Sequence, residues 1–306
     1  MNRIRTLADT VISASRRTDI PALYTPWLMK GIQQGEVLVV NPFNRVPRKV
    51  DLRPEAVHSM VFWSKNFAPF LTAKAHTRLK EMGYRLFFNF TINGENSVLE
   101  PNIPALDQRM SQAEALCRHF GPDTINWRFD PISFYQDNGV PRNCLEDFET
   151  IARRLANLGI SRCITSFYDP YKKVDQRLRR LAQAGGPHIR FTDPGADVRQ
   201  RVIQRMAALL DTLGIRLFLC CESALFDAFP PIENVYASAC IDGKHLKRLF
   251  GGNPVTAKDT GQRRDKGCQC TRSVDIGSYD LHPCHHNCLF CYARTGMDTP
   301  NENKRP

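Results

Sequence analysis

The residues best suited to chemistry lie near the end of the chain, in Cys284-His-His-Asn-Cys288-Leu-Phe-Cys291. Three soft thiolates spaced C-x3-C-x2-C can wrap one metal centre from a single loop. Five of the eleven cysteines, Cys268, Cys270, Cys284, Cys288 and Cys291, are crowded into this region, whereas Cys117, Cys144, Cys163, Cys220, Cys221 and Cys240 are scattered. An odd, clustered set in a chain of this size points to metal binding rather than a disulfide framework. Zinc sites usually combine two C-x2-C pairs, or Cys with spaced His. Zinc stays open here because Cys268, Cys270, His282, His285 and His286 are close by. Iron–sulfur ligation divides into two forms. A fourth thiolate from Cys268 or Cys270 would complete a structural or electron-transfer cluster. Three thiolates alone would leave one iron open to a small molecule, by the logic that makes an open zinc position catalytic.

A second set of reactive side chains follows short apolar runs. The runs are Asp9–Ala14, Val37–Val40, Val57–Trp63, Arg85–Thr91, Thr124–Phe129, Cys163–Phe167 and Arg216–Cys221. Continuous apolarity over so few residues suits parallel strands covered on both faces. Helical patterns over Phe67–Met82, Glu146–Leu158 and Asp197–Leu213 each end at a glycine, which supplies the left-handed C-terminal cap. Alternating strands and helices predict an α/β fold, a complete or partial TIM-like (β/α) barrel, with a doubly wound sheet as the alternative. No G-x-G-x-x-G follows the first run, which disfavours a dinucleotide fold. Residues 181–195 read as a long loop. The division expected is a barrel-like domain over 1–240 and a cysteine-rich segment over 241–306 that cannot build its own core and takes folding energy from a metal. Thr295–Pro306 reads as disordered.

In such folds, sites gather at the C-terminal ends of the strands. Arg17, Lys65, Arg128, Asp130 and Glu222 are charged groups attached to apolar runs, and they would converge on one mouth where a charged ligand could pair with them. Arg16, Asp19 and Asp169 share those positions. Asn44, Asn66 and Asn93 are explained by capping and turns. Cys220 and Cys221 would face opposite sides of their strand and pack in the core. Asp259–Arg263 and Cys268–Asp280 lead into the cysteine loop and form a second wall.

Lysine plus arginine outnumber aspartate plus glutamate by 42 to 31, a net charge of +11 that suits a polyanionic partner. The charges are spread, and the two clusters, Arg177-Leu-Arg179-Arg180 and Lys244-His-Leu-Lys247-Arg248, read as exposed faces of short helices. No apolar run is long enough to cross a bilayer, and the basic N-terminus lacks the pattern of a secretory signal, so the expectation is a cytoplasmic protein with no membrane partner.

The cysteine loop resembles that of the radical S-adenosylmethionine enzymes, which carry an aromatic residue before the last cysteine, here Phe290, and often continue as in Cys291-Tyr292-Ala293. In that superfamily the loop follows the first barrel strand. Here it lies near the C-terminus, so the tail must fold back over the barrel mouth. The Cys288-Leu-Phe-Cys291-Tyr stretch also resembles the spore photoproduct lyases. From residue 10 to 293 the chain resembles an uncharacterised bacterial family, domain of unknown function 1848. That likeness is carried by Ile12-Ser-Ala-Ser-Arg16-Arg17-Thr-Asp19, Phe62-Trp63-Ser64-Lys65-Asn66, Arg128-Phe-Asp130-Pro131, Lys258-Asp259-Thr-Gly261-Gln262-Arg263, Asp275-Ile-Gly-Ser-Tyr279-Asp280 and the cysteine loop. The resemblances imply a 4Fe–4S cluster on Cys284, Cys288 and Cys291, with Cys268 and Cys270 as candidate further ligands. They also imply S-adenosylmethionine held by Arg16, Asp19, Asp169, Phe290 and Tyr292, and catalysis by Arg17, Lys65, Arg128, Asp130 and Glu222. The partners implied are a small-molecule or nucleic-acid substrate and an electron donor such as a flavodoxin or ferredoxin. The competing readings are a zinc- or cluster-stabilised nucleic-acid-binding protein and a four-cysteine electron-transfer protein.

Overall fold

The computed structural model describes residues 9–41 and 44–293. The basic N-terminus, Pro42-Phe43 and the Thr295–Pro306 segment lie outside the described residues. In chain order the strands are β1 (Thr10–Ala14), β2 (Glu36–Val40), β3 (Pro47–Asp51), β4 (Val57–Ser64), β5 (Leu86–Thr91), β6 (Ile125–Ile132), β7 (Phe134–Asp137) and β8 (Val140–Asn143), followed by β9 (Arg162–Phe167), β10 (Ile189–Thr192), β11 (Arg216–Leu219), β12 (Val235–Ala237) and β13 (Val274–Asp275). Eight of them form one sheet in the order β12-β11-β9-β6-β5-β4-β1-β13, and every pairing in it is parallel. From β1 to β12 each new strand lies beside its predecessor. The order never reverses, so the sheet is singly wound, as successive right-handed βαβ units require. Among the described residues no ladder joins β12 to β13, and the sheet has two edges.

Alternation along each strand sends the side chains to two different environments. Ile12, Phe62, Phe88, Phe90, Trp127 and Phe129 pack outward into the main core with the helices. Val11, Val61 and Phe87 point to the opposite face, where Ile241 and Leu246 cover them. On that inner face Asn126 donates to Asn89 (3.1 Å), Arg162 donates to Asn126 (2.9 Å), and Asn89 donates to the Cys240 carbonyl (3.1 Å). These bonds satisfy polar groups that burial would otherwise make costly. The inner residues nearest the C-terminal strand ends, Trp63, Thr91, Arg128, Asp130, Ser166 and Cys220, line a cavity instead.

Several expectations need correction. The run Val37–Val40 is not a strand of the main sheet. It lies in β2, which pairs antiparallel with β3, because only six residues separate them and a parallel crossover needs a dozen or more. Its burial alternates, with Val37 and Val39 buried and Leu38 exposed. The helix expected over Phe67–Met82 is two, Ala68–Thr72 and Ala75–Glu81, broken where Lys74 takes φ 52°. The loop expected over 181–195 holds β10, which pairs antiparallel with β7, itself paired with β8. Leu106–Phe120 is a helix whose pattern was too weak to read in the sequence. Among the described residues no helix is long and apolar enough to cross a membrane.

The cysteine-rich segment contributes a strand. In β13, Val274 and Asp275 pair with Ile12 and Ser13. The Asp275 carboxylate accepts from the Ser13 hydroxyl (2.9 Å), the Ser15 hydroxyl (2.6 Å), the Arg16 amide (2.8 Å) and the Gly277 amide (3.0 Å). Gly277 must be glycine, since a Cβ there would stand 2.1 Å from the Ser15 hydroxyl oxygen. Removing the carboxylate in Asp275→Ala leaves four donors without their acceptor, and urea unfolding is expected to show a loss of about 2–4 kcal/mol. Limited proteolysis should then cut first within residues 251–293. A loss below ~0.5 kcal/mol with an unchanged digestion pattern would show that the tail is held by something else.

Candidate functional site

The strand ends and the tail enclose a cavity of about 280 Å³, near the lower end of the range for small-molecule clefts. It brings together Arg16, Arg17, Asp19, Lys65, Arg128, Asp130 and Asp169 from the strand ends with Cys268, Cys270, Cys284, Cys288, Phe290, Cys291 and Tyr292 from the tail. Of the singled-out site residues, Glu222 alone is not on its wall.

Each charged group has a defined partner. Asp19 caps the helix Ile20–Leu23 through the Ala22 amide, and its second oxygen accepts from the Ser64 hydroxyl, the Lys65 amide (both 2.9 Å) and His286 Nε2 (2.8 Å). One carboxylate thus ties the chain just after β1 to the end of β4 and to the cysteine loop. Lys65 pairs with Glu100 and lies 5.2 Å from the centre of the Phe290 ring. The Cys288 thiol is 3.8 Å from the same Glu100 carboxylate. Arg128 bonds Asp130 (2.6 Å) and the Cys240 sulfur (2.9 Å), and Ser166 donates to the other Asp130 oxygen (2.5 Å). Burial works against the Arg128 charge, but Asp130 together with the neighbouring Cys240 and Cys220 sulfurs outweighs it and raises the guanidinium pKa. Arg16 and Arg128 both lie against Trp63, 5.4 and 5.3 Å from its ring. Arg17 donates to the Gly277 carbonyl (3.0 Å). Asp169 accepts from Arg263 (2.7 Å) and Lys266 (2.5 Å).

The cysteine loop is pinned along its length. The Tyr24 hydroxyl donates to the Pro283 carbonyl (2.6 Å), Asn102 to that of His285 (2.8 Å), and the Leu289 amide to that of Leu99 (2.8 Å). Arg177 donates to the Cys291 carbonyl (3.1 and 3.2 Å). Burial pushes the Cys284 thiol up to about 12 and raises Cys288 and Cys291 as well. Cys284, Cys288 and Cys291 share one wall of the cavity, and among the described residues no group of three or more His, Cys, Asp or Glu side chains is arranged to hold a metal ion. Arg16 Nη2, Trp63 Nε1 and the Tyr168 hydroxyl are also buried at this cavity without a hydrogen-bond partner. They are donors suited to the acceptor oxygens of a ligand.

With the geometry described, one comparison decides the lineage. The profile of the family described as domain of unknown function (DUF1848) matches residues 11–293. The chain belongs to the DUF1848 family. The matched stretch includes every residue lining the cavity of this DUF1848 protein. Among curated proteins nothing matches the chain.

Three expectations about single residues change. Arg177 is not on an exposed face: it is buried at the i+3 position from Val174 on the apolar stripe of Lys172–Gln183, and that placement was a readable signal of an inward role. Cys220 and Cys221 do not face opposite sides. Both line the cavity, with their sulfurs 3.8 Å apart. Asn93 does more than cap: it bridges Glu100 (3.3 Å) and both backbone groups of Asp130 (2.9 and 3.2 Å). Glu100 lies in the turn after β5, where nothing in its spacing marks it.

Glu222 turns away from the cavity. It accepts from the Phe167 amide (2.7 Å) and lies 3.8 Å from Arg199. Burial raises its pKa from 4.5 to about 7. Between those values the folded chain keeps a proton that the unfolded chain has lost, so its contribution to stability falls as pH rises through this window. Glu222→Gln removes the titration and keeps an acceptor for the Phe167 amide. The variant's stability relative to the parent is expected to rise by ~2–3 kcal/mol between about pH 4 and about pH 8, read by urea unfolding. A pH-independent difference would contradict the burial of this carboxyl.

Proposed function

We propose that this DUF1848 protein is an iron–sulfur enzyme similar to the radical S-adenosylmethionine enzymes. In this reading Cys284, Cys288 and Cys291 hold a 4Fe–4S cluster with one iron open to S-adenosylmethionine. The observation that carries it is the convergence of the C-x3-C-x2-C loop and the charged strand ends on one cavity. Bound there, the cluster would supply the electron for one-electron cleavage of a carbon–sulfur bond in the cofactor.

The chain's own residues bind, orient and shield. Arg16 and Arg17 present guanidinium donors suited to a carboxylate. Asp130 is aimed by Arg128 and Ser166, and Asp169 by Arg263 and Lys266, so each carboxylate has a fixed orientation for hydroxyl or amino groups. Glu100 and Lys65 sit beneath Cys288 and position that part of the loop. Phe290, Tyr292 and Tyr171 form an aromatic wall, the two tyrosine rings 5.5 Å apart, that keeps water from the reacting centre. The substrate is a small molecule or nucleic-acid component that enters the same cavity, and the electron comes from a flavodoxin- or ferredoxin-class donor.

Anaerobic reconstitution with iron and sulfide, followed by electron paramagnetic resonance of the reduced protein, tests this reading. The expected result is a 4Fe–4S signal with a component that changes when S-adenosylmethionine is added and is lost in Cys288→Ala. A spectrum wholly indifferent to the cofactor would overturn it, as would stoichiometric zinc in place of iron.

A further inference from the structure

One wall of the cavity runs on into a basic helix. Tyr171, which lines the cavity, is the residue just before the helix Lys172–Gln183. Val174, Arg177 and Leu178 turn inward, and Arg177 holds the Cys291 carbonyl. Lys172, Lys173, Gln176, Arg179, Arg180 and Gln183 are exposed, at the spacing of one helix face, and Asp175 is the only carboxylate of this helix. Among the described residues none of Lys172, Lys173, Arg179 and Arg180 is in a salt bridge. The band continues past the helix. Lys173 Nζ lies 5.9 Å from the centre of the exposed Tyr292 ring, which stands 5.5 Å from that of Tyr171. Arg263 donates to the Tyr171 hydroxyl (3.3 Å), and Arg263 and Lys266 share the single Asp169 carboxylate, which offsets one of their two charges.

The other basic helix, Gly243–Phe250, makes the contrast. There Lys247 donates to Asn253 (3.0 Å) and Arg248 to His245 (2.9 Å), and none of Lys244, Lys247 and Arg248 lines the cavity. On Lys172–Gln183 the cations sit on neighbouring turns, where like charges repel one another. A row of phosphates removes that repulsion and gains from the release of their counterions. Aromatic rings set beside the cations add a surface on which an unpaired base can stack, a combination suited to single strands.

We propose that the helix Lys172–Gln183 and the Tyr171–Tyr292 pair bind a single-stranded nucleic acid. Its phosphates follow Lys172, Lys173, Arg179 and Arg180, and one base stacks at the mouth of the cavity. At 1.5 Å per residue the helix is about 18 Å long, enough to follow several phosphates. For the chemistry at the cavity the assignment rests on the proposed function, where it makes the substrate a nucleotide within a strand rather than a small molecule. The binding itself needs no cluster, since none of the four cations touches the C-x3-C-x2-C thiols.

Fluorescence anisotropy with labelled oligouridine and oligothymidine of about a dozen nucleotides, within the site sizes of single-strand binders, tests this on the full chain over a series of salt concentrations. The parent is compared with Lys172→Gln/Lys173→Gln/Arg179→Gln/Arg180→Gln and with Lys244→Gln/Lys247→Gln/Arg248→Gln. The parent is expected to bind, and the tighter of the two strands names the sugar. The first variant is expected to lose ~10-fold or more in affinity at low salt and to flatten the salt dependence by about 0.7 per phosphate contact removed, roughly 3 in all; the second stays within about twofold of the parent. No binding of either strand by the parent, equal losses in the two variants, or binding of anionic phospholipid vesicles in place of the strands overturns the proposal. Resonance of the reduced cluster with and without S-adenosylmethionine, recorded on the parent and the first variant, separates the two readings. A cofactor response kept by a variant that has lost the strand supports a dedicated nucleic-acid face. A parent that binds the strand without any cofactor response sinks the radical reading and leaves this one standing.

Discussion

The site depends on one carboxylate. Asp275 accepts four hydrogen bonds, three of them from Ser13, Ser15 and Arg16, some 260 residues away in sequence. An acceptor with that many donors has a well-defined position. It fixes the register of β13 on β1 and with it the path of the chain toward Cys284. Asp19, five residues beyond β1, repeats the device by holding His286 inside the cysteine loop. The short stretch from Ser13 to Asp19 therefore sets both the edge of the sheet and the position of the thiols. The cysteine-rich tail is held against the strand ends through β13 and the loop contacts.

The cavity holds many charges and few loose ones. Lys65 is neutralised by Glu100 and Arg128 by Asp130, both largely buried, while the more exposed Arg263 and Lys266 share the single Asp169 carboxylate. The two buried pairs add little net stability, but breaking one is costly, which locks their side chains in one arrangement. Their value lies in preorganisation. Trp63, flanked by the Arg16 and Arg128 guanidinium groups, links the two halves of the wall.

Much of this was readable in the sequence where local pattern decides. Parallel strands covered on both faces are mostly apolar, so Arg17 and Lys65 stood out just past β1 and β4, and Arg128 and Asp130 stood out within β6 itself. The close spacing of Cys284, Cys288 and Cys291 needed no fold to be noticed. What escaped was set by tertiary context. Glu100 gains its role only from Lys65 and Cys288, and Arg177 only from a carbonyl of the distant loop. Cys220, Cys221 and Cys240 look like ordinary core residues until β11, β12 and the 268–270 turn are placed together. The antiparallel pair β2–β3 was mistaken for part of the main sheet because a valine run is compatible with either setting. Glu222 sits at a strand end like the others, but the loop after β11 rotates it toward Phe167.

X-ray anomalous scattering at the iron edge, from crystals of the anaerobically reconstituted full chain, tests the central claim most directly. The account predicts an iron peak at the cavity wall, in contact with the sulfurs of Cys284, Cys288 and Cys291 and facing Arg16, Arg17 and Asp130. No iron at these three sulfurs, or a zinc peak in its place, would contradict it.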